Sequence, residues 1–204
     1  MRLLLLRGER NIRILDINAP TDPDSTEPAV SFIRTDIRDI KSVRDALTTP
    51  FPSTGKPPTV IFHTAALIRF WERASYPWHL SYDVNVRGIQ NVLTVAANDL
   101  PAGETLVVYT STSGVACPRP RFMRLGLDLS TPPWDRVIVS DEDDPLPSSA
   151  QANSNYVKSK ALAERAVIEA NGRNGLRTGI IRSGVSVSLH AHHARVSTLI
   201  HTFL

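Results

Sequence analysis

Cysteine is almost absent from these 204 residues: Cys117 stands alone. No disulfide can close within the chain and no cysteine cluster can hold a metal, which accords with a reducing, cytoplasmic setting. Lysine is scarce too, limited to Lys41, Lys56, Lys158 and Lys160. The net charge is only +3 and the basic residues are scattered, so there is no stripe for nucleic acid and no such partner is expected. Long apolar runs are missing. The leucines at 3–6 fall short of the roughly 7–15 apolar residues of a secretory leader, and nothing approaches the roughly 18 of a membrane span. Glycine is sparse early on, with Gly8 the only one before Gly55.

What is present reads as an ordinary α/β domain. Apolar residues make up 42% and charged residues 21% of the chain, enough for one sizeable core. Short apolar runs alternate with helical patterns, the signature of βα units around a parallel sheet. Strands are expected at 11–16, 30–33, 59–63, 106–110 and 176–181. Asp39 is placed to cap a short helix running to about Leu47. Long helices are expected over 79–98 and 154–171. Residues 18–28 and 48–58, rich in proline, read as loops. Residues 117–150 hold many prolines and the acidic run Asp141-Glu142-Asp143-Asp144, too long for a simple connection and therefore an insertion or functional loop.

The sharpest chemical signal is Tyr156-Val157-Lys158-Ser159-Lys160. A tyrosine and a lysine four apart share one helix face. An ammonium near a phenol favours the phenolate, so this spacing predicts a tyrosine pKa below its usual value of about 10 and a usable acid/base. Four-residue spacing alone is not specific. Its context adds weight, because a strand ending in Tyr109-Thr110-Ser111-Thr112-Ser113 precedes it, and hydroxyls at the carboxyl end of such a strand point into the ligand crevice.

Several further segments fall in a fixed order: Val60-Ile61-Phe62-His63-Thr64-Ala65-Ala66, Val84-Asn85-Val86-Arg87-Gly88-Ile89-Gln90-Asn91-Val92-Leu93, Tyr109 to Val115, Asp141-Glu142 with Pro145-Leu146-Pro147, and Tyr156 to Glu164. With them the sequence resembles the extended short-chain dehydrogenases/reductases, most closely the 3β-hydroxysteroid dehydrogenase and sterol-4α-carboxylate 3-dehydrogenase branch. The resemblance runs from the start to about Val187. It implies a Rossmann-like, doubly wound parallel sheet and an NAD-dependent oxidoreductase acting on a secondary alcohol, the 3β-hydroxyl of a steroid or sterol. It implies Tyr156 as general base, Lys160 as the residue that lowers its pKa and holds the nicotinamide ribose, and Thr112 as the hydroxyl that orients the substrate oxygen, with Ser111 and Ser113 left as alternatives. Asp16 matches the acidic residue that binds the adenosine ribose and favours NAD over NADP. Asp36 and Ile37 match the pair at adenine. His63, Ala65 and Ala66 would line the cofactor, together with Ser111. Asn85 matches an asparagine that helps hold the sheet and the lysine's water. Arg182-Ser183 stands where the family carries Arg-Pro, a departure on the nicotinamide side.

The resemblance also implies a small apolar alcohol or ketone as substrate, a homodimer through the helices 79–98 and 154–171, and a location in the cytoplasm or peripheral to the endoplasmic reticulum membrane. Other readings stay open: a nucleotide-sugar epimerase or dihydroflavonol-type reductase on the same scaffold, or a non-catalytic remnant or binding module. Two features are set aside as metal sites. The acidic run lacks spaced ligands and a turn glycine, and His190, His192 and His193 lack a further ligand, so no metal is expected. Phe70-Trp71, Tyr76 and Trp78 either wall an apolar pocket or pack. The family opens with a strand and a glycine-rich turn that cradles the pyrophosphate. Neither is found here, and residues 1–8 read as the end of the helix after that turn. The expectation is therefore an incomplete nucleotide-binding domain over 1–187, a substrate-binding region beginning at 188–204, a chain truncated at both ends, and two strands left with unpaired edges. Such a chain is expected to bind NAD poorly.

Overall fold

A computed structural model describes residues 1–116, 152 and 154–184, and the backbone of 200–203. The insertion at 117–150 with its acidic run, and His190, His192 and His193, lie outside the described residues. After a short helix α1 (Arg2–Leu6) come β1 (Ile12–Asp16), β2 (Val30–Arg34), α2 (Ile40–Thr48) and β3 (Val60–His63). Then follow α3 (Trp78–Tyr82), α4 (Gly88–Asn98), β4 (Leu106–Thr112), α5 (Asn155–Ala170), β5 (Arg177–Ser183) and β6 (Ile200–Phe203).

Local chemistry explains the helix starts. The Asp39 side chain accepts from the Lys41 amide at the head of α2, and the Ser154 hydroxyl accepts from the Val157 amide at the head of α5. At the other end of α2, the buried Arg13 guanidinium donates to the carbonyls of Ala46, Thr49 and Pro50 and lies over the Phe51 ring. A cation there satisfies carbonyls that the helix leaves unpaired. The single helix expected over 79–98 is interrupted: α3 and α4 are joined by one π-helical turn, Asp83–Arg87. β4 and β5 run further than the sequence pattern indicated, so Arg182 and Ser183 are the last two residues of β5 rather than the start of a loop.

The strands form one sheet in the order β2-β1-β6-β3-β4-β5. β1 pairs in parallel with β2, β3 with β4, and β4 with β5. The two edges expected to stand open, on β1 and β3, are both paired: β6 lies antiparallel between them, matching Thr202 with Arg13 on one side and with Ile61 on the other. The physical reason is the obligatory pairing of backbone N–H and C=O groups, which β6 meets on both flanks. α2 packs on α4, and α4 on α5. With Leu15, Ile61, Val107 and Tyr109 from the sheet, their apolar stripes make one core. No helix among the described residues is long and apolar enough to cross a membrane.

Candidate active site

The parallel strands deliver the expected residues to one end of the sheet. Asp16 closes β1, Asp36 and Ile37 follow β2, His63 closes β3 ahead of Ala65 and Ala66, and Ser111 and Thr112 close β4. Carboxyl ends of parallel strands are where ligands sit in such sheets. Along β4, Val107, Tyr109 and Ser111 point to one face and are buried, while the alternating residues are half-buried.

α5 carries Tyr156 and Lys160 onto this end. The Lys160 amine is buried and donates to the Thr110 carbonyl at 2.6 Å. It stands 4.7 Å from the centre of the Tyr109 ring and 6.0 Å from that of Tyr156. Burial lowers its pKa to about 8, with the Glu164 carboxylate acting in the opposite direction. Tyr156 does not show the lowered pKa that the spacing suggested: burial pushes its phenol above the ordinary value. The reason is geometric, since the one amine positioned to favour the phenolate is turned toward a backbone carbonyl.

Two contacts fix the surroundings of Tyr156. The Phe70 ring meets it edge-on, with centroids 5.0 Å apart and planes at 73°. The loop carrying Phe70 is tied to the head of α5 through the Asn155 amide, which donates to the Glu72 carbonyl, and the Asn155 side chain, which donates to the Ala74 carbonyl. Trp71 and Tyr76 on that loop are largely exposed, whereas Trp78 lies against the Lys158 amine, 4.5 Å from its ring centre. Asn85, in the π-helical turn, clamps the same region. Its Oδ1 accepts from the Leu67 amide, and its Nδ2 donates to the Leu67 carbonyl and to the Ser159 hydroxyl at 2.8 Å.

The strand-end hydroxyls divide clearly. Thr112 Oγ1 accepts from the Gly114 amide, which opens a short turn packed on Val157. Ser111 is buried with its hydroxyl unpartnered, and Ser113 is exposed. Thr64 Oγ1 and both ring nitrogens of His63 are also buried without a partner. The His63 ring stacks on Tyr109, and burial, reinforced by Lys160, lowers its pKa to about 3. Burial thus favours the neutral imidazole, whose ring packs on Tyr109.

The adenosine side is more mixed. Asp16 accepts from the Asn18 amide in a strand-end turn. Asp36 is held by Arg38 in a two-pronged ion pair that keeps its carboxyl below the usual range. Ile37 is buried against Gly88, and its carbonyl accepts from Asn91. Lys160 and the unpartnered hydroxyls of Thr64 and Ser111 are groups with which a nicotinamide dinucleotide could hydrogen-bond, and so fit such a cofactor. Among the described residues no strand leads through a glycine-rich turn into a helix.

Glu164 stands outside the set of residues expected at the site, although its place four residues after Lys160 on one helix face is a signal visible in the chain. Glu164 is fully buried and accepts from both Nε and Nη2 of Arg182.

The profile of the 3-beta hydroxysteroid dehydrogenase/isomerase family matches residues 1–186. The rat protein "3 beta-hydroxysteroid dehydrogenase type 7" is 38% identical over 120 residues, 59% of this chain and 30% of the rat protein. A "3 beta-hydroxysteroid dehydrogenase/Delta 5-->4-isomerase" of Mycobacterium tuberculosis is 32% identical over 129 residues, 61% of this chain and 30% of that relative. Each match thus spans under a third of the relative's length. Among solved structures, a short chain dehydrogenase from Burkholderia cenocepacia in complex with NADP aligns at a TM-score of 0.61 with 18% identity, covering 90% of this chain and 65% of the other. MoeE5 in complex with UDP-glucose and NAD aligns at 0.59 with 23% identity, covering 89% and 48%. These likenesses show a Rossmann-type α/β fold.

Proposed function

This chain belongs to the 3-beta hydroxysteroid dehydrogenase/isomerase family, and from that membership we propose that it serves an NAD-dependent oxidoreductase acting on the 3β-hydroxyl of a steroid or sterol. The observation that carries the reading is the approach of Lys160 and Tyr156 on α5 to the hydroxyl-bearing end of β4. Tyr156 takes the proton of the substrate hydroxyl. Lys160 holds the cofactor ribose and, turned from the Thr110 carbonyl, stabilises the phenolate. Thr112 orients the substrate oxygen, with Ser111 as the neighbouring buried hydroxyl. Asp16 holds the adenosine ribose, which favours NAD over NADP. The nicotinamide, when bound, supplies the hydride acceptor.

The aromatic loop supports an apolar substrate. Phe70 touches Tyr156 and is more than half exposed, and Trp71 beside it is more exposed still. A flat hydrocarbon covering those rings would gain their buried area. We also propose a homodimer through α4 and α5. A groove of about 430 Å³ lies between them, lined by Leu93, Thr94, Ala97, Ala166 and Ala170 among others. None of its lining residues belongs to the expected catalytic or cofactor set. The test is NADH formation from 3β-hydroxysteroids, with NAD binding measured by calorimetry and Tyr156→Phe as control. Turnover abolished by Tyr156→Phe with NAD binding kept supports the reading. NAD binding without turnover of any steroid alcohol removes the substrate assignment.

A further inference from the structure

Lys160 is a buried cation, and what neutralises it bears on everything that Tyr156 is asked to do. On its own helix, Tyr156 lies one turn before it and Glu164 one turn after, about 6 Å along the axis. From β4 it faces the Thr110 carbonyl and the Tyr109 ring, and from β3 it faces His63 through that ring. Of these groups only Glu164 is an anion. The Glu164 side chain is completely buried, and the two prongs of Arg182, from the end of β5, fix its carboxylate at 2.9–3.3 Å. Arg182 is itself partly exposed, with 28% of its side chain accessible. Solvent screens the outer charge of the pair more than the inner one. Glu164 is thus the inner, fully buried member of the pair, on the same helix as Lys160 and one turn after it.

We propose that Glu164, clamped by Arg182, is a positioning residue that supplies the buried counter-charge of the Lys160 ammonium. The proposal rests on the catalytic roles given to Lys160 and Tyr156 above. Glu164 touches neither substrate nor cofactor in this reading and acts through Lys160 alone. The direction of its influence on Lys160 agrees: it favours the charged amine against burial. An ion pair fixed in two places also restrains α5 against β5, so a stability change by itself does not distinguish this role from plain packing.

The distinguishing measurement is the titration of Lys160 itself. With only four lysines in the chain, lysine labelled with ¹³C at Cε gives a few NMR signals, and Lys160→Met identifies the one sought. The titration needs neither cofactor nor steroid, so failure of the oxidoreductase reading would leave it interpretable. Glu164→Gln is expected to lower the Lys160 midpoint by about one unit or more, as loss of a near opposite charge does. In the double variant Glu164→Gln/Arg182→Met both charges are removed, and the midpoint is expected to fall by less. The double variant takes over if the single one does not fold, because it leaves no Arg182 guanidinium facing a missing carboxylate. A Lys160 midpoint equal to that of the unsubstituted protein, in whichever variant folds, overturns the proposal.

Discussion

The Asn85 side chain donates to the Ser159 hydroxyl at 2.8 Å across 74 positions of sequence, and the same hydroxyl donates back to the Tyr156 carbonyl at 2.7 Å. Through its other two bonds Asn85 holds both peptide groups of Leu67. One carboxamide therefore joins the loop after β3 to the helix that carries Tyr156 and Lys160. It sits in a π-helical turn, and such turns concentrate at functional sites.

Replacing Asn85 with leucine should remove all three bonds and leave buried partners unsatisfied. The expected loss is about 1–3 kcal/mol of stability, read as a lower urea midpoint. Hydrogen exchange should rise at the Leu67 amide. If exchange there is unchanged, the clamp is not what orders this loop.

Gly88 is required by its neighbour. A Cβ at Gly88 would lie 2.6 Å from Ile37 Cδ1. Gly88→Ala should cost about 1–2 kcal/mol by overpacking, despite alanine's better helix propensity. In an Ile37→Val background the closest atom is gone, and the cost of Gly88→Ala should shrink. Equal costs in both backgrounds would show that Ile37 simply moves aside.

His63 predicts an acid sensitivity. Unfolded, it titrates near 6.5; folded, at about 3. The unfolded chain then binds the proton more readily, so this stability is fully present above about pH 6.5. It is lost as pH falls toward 3, at up to about 1.4 kcal/mol per pH unit. Lys160 is protonated in both states below its value of about 8, so it adds no slope in that window. His63→Phe, which keeps a ring against Tyr109, should flatten the decline of stability between pH 6.5 and 4 in denaturant titrations. Parallel curves for the two proteins would refute the assignment.

If Tyr156 is the base, as proposed, alcohol oxidation should grow faster with rising pH, because burial holds its phenol above the ordinary value and the phenolate is the form that accepts the proton. Tyr156→Phe should lower kcat by about 10²–10⁴-fold. A pH-independent rate in the unsubstituted enzyme would mean that proton removal from the alcohol is not limiting.

The central strand can be tested through its backbone. Thr202 in β6 pairs with Arg13 and Ile61. Thr202→Pro removes a ladder donor from the middle of the sheet, with an expected cost of about 1–3 kcal/mol. Amide exchange should rise in β1 and β3 and stay slow in β4 and β5. An unchanged stability would place β6 outside the cooperative core.

Much of this was legible in the chain itself. Apolar runs at 11–16, 59–63 and 106–110 specify strands because alternation and β-branching suit a pleated surface, and Asp39 and Ser154 stand at helix starts, where their side chains meet amides that the helix leaves free. The Tyr156 and Lys160 spacing, with the hydroxyls before Val115, pointed to the site through order alone. Distance and burial were not legible. Only the packed structure turns Lys160 toward the Thr110 carbonyl, raises Tyr156 by burial, sets Phe70 edge-on against it and buries Glu164 beneath Arg182. Sequence fixes which residues can share a helix face or a strand end, since those are local periodicities. The partner of a buried charge, and the strand that closes the gap between β1 and β3, depend on segments distant along the chain, which meet only when unpaired polar groups must be satisfied inside the fold.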